Sequence, residues 1–247
     1  MDVSSYVLLS REQALRRQLD VAANNMANMT TAGFKRERPV FREYVERSAE
    51  NAVDAAQATS FVLDYGALHD TKAGAFQATG NPLDLMIDGP GYFAVEAPGG
   101  GTAYTRAGFV KTNETGELIA ADGQKLLGEG GRPIAIPVEQ LPTLSIASDG
   151  TVSTREGILG RLAITVFGDE RMLTPRGDGM MAGGGGRELA ATETRLRSGG
   201  VEGSNVEPIV ETTAMVDILR AYQTTMRIAQ DMDELRKRAI GSLSRIS

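Results

Sequence analysis

Residues 4–29 have the sequence SSYVLLSREQALRRQLDVAANNMANM, in which apolar side chains recur every three or four positions. The repeat consists of Leu8, Leu15, Leu19, Ala22, Met26 and Met29. Charged residues such as Arg11, Arg16 and Asp20 fall on the other faces, so the pattern predicts one amphipathic helix. We expect this helix to end near residues 30–33, where Gly33 can adopt the left-handed conformation that closes a helix.

A second and longer helix is predicted at the other end of the chain, over ~35 residues or ~50 Å. Ser204 and Glu207 have the spacing of a capping box, and Pro208 lies in the first turn, where a missing N–H is tolerated best. An apolar stripe then continues through Met215, Leu219, Tyr222, Met226 and Ala229. Two such helices can bury their apolar faces only against each other or against other copies of the chain.

Glycine and proline separate these helical ends from a central region of strands and turns. Of the 29 glycines, only Gly33 and Gly66 precede residue 74, and only Gly241 follows residue 203. Strand-like runs occur at 61–63, 83–87, 92–95, 144–146 and 161–167. We therefore predict an α+β fold in three parts. Long terminal helices, within 1–33 and 205–247, pair as a coiled-coil-like domain, 34–73 form a connector, and 74–204 form an irregular antiparallel β domain.

The composition excludes several classes of function. The 247 residues contain no Cys and a single His, His69, which removes disulfides, thiol nucleophiles and zinc–thiolate sites. A net charge of −6 opposes coating of nucleic acid, and no run of 18 apolar residues is present to span a bilayer. The first residues lack the long apolar stretch of a signal peptide. We expect no catalytic residue, no cofactor and no bound metal ion.

One alternative from a different class stays open on composition alone. Carboxylates are plentiful, so an extracellular β-rich protein that binds or cleaves glycans is compatible with the sequence. The absence of Trp and the aromatic content of only 5% argue against this alternative, because a glycan site needs an aromatic platform.

Three asparagines, Asn24, Asn25 and Asn28, interrupt the end of the first predicted helix. Asparagine is a poor helix former unless its side-chain amide finds a partner. Two interpretations are open. The asparagines cap a fraying helix end, or their amides fix the register between packed helices.

Four segments of the chain resemble the bacterial flagellar rod and hook proteins. Residues 19–35, LDVAANNMANMTTAGFK, are similar to the N-terminal signature of that family. Residues 202–223, which begin with EGSNVE and end with RAYQ, resemble its C-terminal helix, although Glu207 stands where asparagine is usual. In the middle, 79–93, TGNPLDLMIDGPGYF, and 104–109, YTRAGF, match as well. Within the family, residues 6–11 and 15–20 are most similar to the proximal rod protein, and the distal rod protein is the nearest alternative.

The resemblance implies a structural subunit of the rod, the drive shaft of the flagellum. Such a protein is exported by the flagellar type III apparatus without a cleaved signal and assembles in the periplasm with copies of itself and with neighbouring rod proteins, without binding nucleic acid. The expected assembly interface consists of Leu8, Leu15, Leu19, Asn24, Asn25, Met26, Asn28, Gly33, Phe34, Ser204, Asn205, Val206, Met215, Leu219, Tyr222 and Met226.

Overall fold

A computed structural model describes residues 3–47, 58–170, 173–176 and 179–243. A long helix lies at each end of the chain, α1 (Val3–Ala27) and α2 (Pro208–Leu243), and the region between them is formed by strands. The α+β prediction, with helical ends and an antiparallel centre, is therefore confirmed. Parts of the predicted helical domain, 1–2 and 244–247, and of the predicted connector, 48–57, lie outside the described residues.

The strands of the described chain are short except for the first two. They are β1 (Glu37–Arg47), β2 (Ala58–His69), β3 (Phe76–Ala78), β4 (Leu85–Ile87), β5 (Tyr92–Glu96), β6 (Thr102–Thr105), β7 (Val110–Thr112), β8 (Leu118–Ala120), β9 (Leu127–Gly128), β10 (Arg132–Pro133), β11 (Ser145–Ile146), β12 (Thr151–Thr154), β13 (Gly157–Arg161), β14 (Ile164–Val166), β15 (Thr174–Pro175), β16 (Met181–Ala182), β17 (Arg187–Glu188), β18 (Leu196–Ser198) and β19 (Gly200–Glu202). A short 3-10 helix, Val138–Thr143, precedes β11.

The chain divides into two compact units. One, which we call the terminal unit, comprises residues 1–27, 37–68 and 207–247 and so includes both helices. The other, the central unit, comprises residues 28–36 and 69–206. Each unit is built from segments that are distant in sequence, so neither corresponds to a continuous stretch of chain.

In the terminal unit, α1 and α2 pack against each other in antiparallel directions. The Tyr222 hydroxyl donates a hydrogen bond to Glu12 Oε1 at 3.1 Å, and thirteen residues further along α1 the Asn25 amide donates to Glu211 Oε2 at 3.4 Å. The contact near the start of α1 is therefore made with a later residue of α2, and the contact near the end of α1 with an earlier one. The two helices run in opposite directions.

The terminal unit also contains a two-stranded sheet of β1 and β2 within the range predicted as a connector, and β2 includes the predicted strand-like run at 61–63. The sequence of β2 has the β-branched and aromatic residues of a strand, including Phe61, Val62 and Tyr65. The strand that the sequence analysis did not predict is β1, which begins within the charged run at 35–38, a pattern typical of an exposed linker. Arg17 Nε on α1 lies 3.2 Å from Asp64 Oδ2 on β2 and links the sheet to the helices.

The central unit is a set of antiparallel sheets around a main apolar core and a smaller second cluster of buried apolar residues. Its largest sheet has the strand order β15-β16-β6-β5-β14-β17, and a three-stranded sheet has the order β11-β12-β13. β18 and β19 return to pair with β4 and β3. The core includes the fully buried Leu85, Phe93, Val95, Leu118 and Val152. The last strands of the unit therefore close on its first strands.

The end of α1 and the start of α2 both differ in detail from the sequence prediction. α1 ends at Ala27, and Gly33 adopts a φ of 73° in the turn that follows the helix, not at its cap. α2 begins at Pro208, as its first-turn position predicted, but the capping box does not form. The Ser204 hydroxyl accepts the Val206 N–H at 3.2 Å, and the first helical hydrogen bond runs from the Glu211 N–H to the Glu207 carbonyl at 3.1 Å.

The turn at Gly33 approaches the body of the central unit too closely for any side chain. The Gly33 N–H donates to the Glu202 carbonyl at 2.8 Å. A Cβ atom at this position would lie 2.5 Å from the Ala107 nitrogen and from the Arg106 carbonyl carbon, both of which are backbone atoms. Glycine is therefore required here by its positive φ and by the close approach together.

We predict that Gly33→Ala destabilises the central unit more than Gly80→Ala does. Both glycines have positive φ, 73° and 79°, but nothing lies within 4 Å of a Cβ at Gly80. The left-handed conformation costs an alanine about 1–2 kcal/mol at either position, and only Gly33→Ala adds a backbone clash. Urea unfolding of the two variants measures the difference. Equal losses of unfolding free energy would contradict the close approach at Gly33.

Candidate assembly interface

Large apolar side chains are exposed mainly on the terminal unit. Of the eighteen exposed large hydrophobic residues in the described chain, fifteen belong to this unit. On the helices they are Tyr6, Leu9, Ile209, Val210, Val216, Leu219, Ile228, Leu235 and Ile240, and on the sheet they are Tyr44, Val45, Val62, Leu63, Tyr65 and Leu68. Such concentrated apolar exposure is typical of a surface that binds other protein chains.

The apolar face of α2 is wider than the part of it that α1 covers. Met215, Tyr222 and Met226 are half-buried, whereas Leu219, between them on the same predicted stripe, is 41% exposed. On α1 the predicted residues Leu8, Leu15, Leu19 and Met26 are all half-buried. The helices therefore bury the middle of their apolar faces within the chain and leave the edge that carries Leu219 available to a neighbouring chain.

The three asparagines near the end of α1 have different surroundings. Asn25 is 1% exposed, and its side chain forms a two-way pair with β1: Oδ1 accepts the Glu37 N–H at 2.8 Å and Nδ2 donates to the Glu37 carbonyl at 2.9 Å. Asn28 Oδ1 accepts from the Thr31 hydroxyl at 3.2 Å, in the turn after the helix. Asn24 is exposed. Because Asn25 also donates to Glu211 Oε2 on α2 at 3.4 Å, it suits the register interpretation, and Asn28, at the end of α1, suits the capping interpretation.

A buried carboxylate, Glu202, holds the N-terminal segment of the central unit in place. Its Oε1 accepts from Lys35 Nζ at 2.5 Å and from the Gly74 N–H at 2.8 Å, and its Oε2 accepts from Arg106 Nη1 at 3.3 Å. Lys35 Nζ also donates to the Lys72 carbonyl at 2.8 Å. We call Lys35, Arg106 and Glu202 the Glu202 cluster. Its three side chains are at most 3% exposed.

The electrostatics of this cluster favour a structural role. Burial lowers the pKa of the Lys35 ammonium from its ordinary value, and the bond to Glu202 opposes that shift. The Arg106 guanidinium also lies 5.1 Å from the centre of the Tyr92 ring, and the Tyr92 hydroxyl donates to Glu170 at 2.9 Å. Burial, with the nearby Glu170 carboxylate, raises the pKa of Tyr92. Because both Glu202 oxygens are enclosed and bonded, the carboxylate is not accessible to a substrate.

A second polar group, Asn205, joins three backbone segments beside this cluster. Its Oδ1 accepts the Arg36 N–H at 2.7 Å, and its Nδ2 donates to the carbonyls of Asp70 and Lys72 at 3.0 and 2.9 Å. Its own N–H donates to the Phe34 carbonyl at 3.4 Å. The two signature segments quoted above, from opposite ends of the sequence, thus meet in the central unit.

The structure therefore divides the expected interface residues between the two units. Gly33, Phe34, Ser204, Asn205 and Val206 lie in the central unit around the meeting of the two signatures. The remaining predicted residues belong to the terminal unit, apart from Asn28, which begins the first segment of the central unit. Sequence reasoning missed the Glu202 cluster, whose only signal was a charged residue within two positions of a glycine in each of the three matching segments.

The described residues contain neither a metal-binding cluster nor a membrane-spanning helix. No group of three or more His, Asp or Glu side chains there is placed to bind a metal ion. No helix in the same residues is long and apolar enough to cross a membrane.

We predict that Glu202→Gln strongly destabilises the central unit. The variant leaves the Lys35 ammonium and the Arg106 guanidinium buried without their shared anion, which costs about 3–5 kcal/mol. The matched control is Glu193→Gln, which makes the same change in an ion pair with Arg187 whose side chains are 46% and 62% exposed. Thermal and urea unfolding measure the stability of both variants. Indistinguishable stabilities of the two variants would contradict the importance of the buried cluster.

Three family models match separate parts of the chain. Residues 6–35 match the flagella basal body rod protein model, residues 86–154 the flagellar hook protein FlgE/F/G D1 domain, and residues 197–242 the flagellar basal body rod FlgEFG protein C-terminal model. The first and last of these models together cover the two signature segments that meet at Glu202 and Asn205.

Full-length relatives agree with these models. The chain is 34% identical to the flagellar basal-body rod protein FlgF of Caulobacter vibrioides, over 100% of both chains. It is also 34% identical to FlgG of Bacillus subtilis, over 94% of this chain and 96% of the relative, and 29% identical to FlgF of Salmonella typhimurium, over 99% of each. By its sequence over the whole length, this chain belongs to the family of flagellar basal-body rod proteins.

Proposed function

We propose that this protein is a structural subunit of the proximal part of the flagellar rod, which assembles through its terminal unit. The observation that carries the proposal is the placement of fifteen of the eighteen exposed large hydrophobic residues of the described chain on that unit. Burial of apolar surface between copies would supply the driving force for assembly, at about 25 cal/mol for each Å² removed from water.

The terminal helices would pack with neighbouring copies in a coiled-coil-like arrangement. Within the chain α1 and α2 are already antiparallel neighbours, which leaves their outer edges, including Leu9 and Leu219, for contacts to other subunits. A tube built from such repeated apolar seams resists twisting, because rotation must disturb many close-packed contacts at once. The central unit would form the outer wall of the tube and transmit load through its rigid sheets.

The proximal position rests on the similarity of residues 6–11 and 15–20 to proximal rod proteins. Relatives named FlgF and FlgG match the chain at the same identity of 34%, so the distal part of the rod is the alternative position. Incorporation of the tagged protein into basal bodies, located by electron microscopy, distinguishes the two positions.

Three further features belong to the same proposal. The protein carries out no catalysis, an inference supported by the structural family and by the enclosed Glu202 carboxylate. It reaches the periplasm through the flagellar type III export apparatus without a cleaved signal, as the family resemblance implies. Its partners are other copies of itself and the rod proteins on either side.

We predict that Leu219→Asp abolishes rod assembly while the subunit stays folded. Leu219 is 41% exposed in the single chain, so a charge there stays hydrated until a neighbouring subunit covers it. Burying the unpaired carboxylate would then cost several kcal/mol at each contact. Swimming in soft agar and the recovery of intact basal bodies measure assembly, and circular dichroism measures the fold.

The matched control is Thr224→Asp, which introduces the same charge at an exposed polar position of α2. We expect this variant to swim normally. Normal motility of the Leu219→Asp strain would contradict an interface at this edge of the helix, and an unfolded Leu219→Asp subunit would show that the side chain acts within the chain.

A further inference from the structure

The β1–β2 sheet of the terminal unit carries exposed apolar side chains on both of its faces. Successive residues of a strand point to opposite faces of a sheet. Tyr44 and Val45 on β1 are 53% and 43% exposed, and Val62 and Leu63 on β2 are 39% and 51% exposed. A sheet of only two strands is marginally stable in water unless another element packs on it. The attachment of this sheet to the helices therefore decides where its apolar side chains point.

The start of β1 is the part of the sheet that lies against the helices. β1 contacts α1, and residues 39–41 are half-buried, whereas residues 42–45 are exposed. Residues 28–36, which connect α1 to β1 along the sequence, belong to the other unit. Within the terminal unit, non-covalent contacts therefore attach the sheet to the helices.

Asn25 makes the most specific of these contacts. It lies two residues before the end of α1, and its side chain bonds both the N–H and the carbonyl of Glu37, the first residue of β1. Hydrogen bonds depend on angle, so two bonds to one residue fix the direction of the strand, whereas apolar packing has no preferred direction. Asn25 is 1% exposed, and shielding from water strengthens both bonds.

A second polar contact between α1 and the sheet is weaker. Arg17 Nε lies 3.2 Å from Asp64 Oδ2, but the two side chains are 39% and 45% exposed. An ion pair that is this exposed is screened by water and salt and contributes little. Asn25, in contrast, also donates to Glu211 Oε2 on α2 at 3.4 Å. One buried amide therefore connects α1, α2 and β1.

We propose that Asn25 is a positioning residue that sets the direction of the β1–β2 sheet relative to the two helices of the terminal unit. Asparagine suits this role because its short side chain carries both an acceptor for the Glu37 N–H and a donor for the Glu37 carbonyl. In the rod, and here the inference rests on the proposed function, the sheet would present its exposed apolar side chains to a second copy of this chain in a constant geometry. The positioning itself is a property of the single chain.

The test measures distances between pairs of spin labels in the full-length protein, which has no native Cys. Gln13→Cys on α1 with Glu43→Cys on β1 reports on the sheet relative to the helices. Gln13→Cys with Gln230→Cys on α2 reports on the helix pair alone. All three labelled positions are exposed and belong to the terminal unit.

Three variants are compared in both labelled backgrounds. Asn25→Ala removes the two bonds to Glu37 together with the bond to Glu211. Glu211→Ala removes only the acceptor on α2 from the Asn25 amide and leaves the pair with Glu37 in place. Asn24→Ala is the matched control, because it makes the same change at the adjacent, exposed asparagine.

We expect a narrow distribution of the distance between positions 13 and 43 in the unaltered protein, in Asn24→Ala and in Glu211→Ala. Asn25→Ala should broaden this distribution and leave the distance between positions 13 and 230 narrow, because the apolar faces of α1 and α2 still pack. A sheet distance that stays narrow in Asn25→Ala, or that is already broad in the unaltered protein, would overturn the proposal. Equal broadening in Glu211→Ala would overturn it too, as would broadening of the helix-pair distance in Asn25→Ala, since Asn25 would then stabilise the whole unit.

The consequence in the rod is tested separately. We expect strains with Asn25→Ala, but not with Asn24→Ala, to yield fewer intact basal bodies and to swim less. Normal assembly of a variant with a broadened sheet distance would overturn the role of the sheet direction in contacts between copies. Absence of the unaltered protein from basal bodies would contradict the proposed function and would leave the label distances in the single chain unaffected.

Discussion

The buried ion cluster at Glu202 is the interaction on which the rest of the structure depends. Glu202 is the last residue of β19, and its carboxylate binds Lys35 from the N-terminal signature and Arg106 from the middle of the chain. A charge is tolerated inside a protein only when partners enclose it, so these three segments must be in place together. Through this requirement the central unit includes residues from both ends of the sequence.

The two units differ in how much of their apolar surface they bury. The central unit encloses its large side chains, such as Phe93 and Leu118, in a core of its own. The terminal unit leaves long apolar edges exposed on α1, α2 and the β1–β2 sheet. A subunit of a rod needs a unit with a closed core and a unit with exposed apolar surface. The unit with the closed core keeps its shape in every copy, and the exposed surface supplies the contacts between copies.

The sequence predicted features that depend on local patterns. The spacing of Leu8, Leu15 and Leu19 predicted α1, and the glycine distribution predicted the β-rich centre, both of which the structure shows. Features that depend on distant partners were not predictable. Nothing around Glu202 indicates that Lys35 and Arg106 bind it, and nothing beside Asn25 indicates its pairing with Glu37. The capping box failed because α2 begins at Pro208, four residues after Ser204, whose hydroxyl accepts the Val206 N–H before the helix starts.

The most direct test of the central claim is native-state hydrogen exchange at the Gly33 amide, which donates to the Glu202 carbonyl. The reference is the amide of Ala94, a core residue whose N–H donates to the Ala163 carbonyl. If residues 28–36 are an integral part of the central unit, both amides exchange only through its global unfolding and report the same free energy of opening. A much lower free energy of opening at Gly33, with Ala94 still protected, would show that the segment detaches alone and would contradict the account.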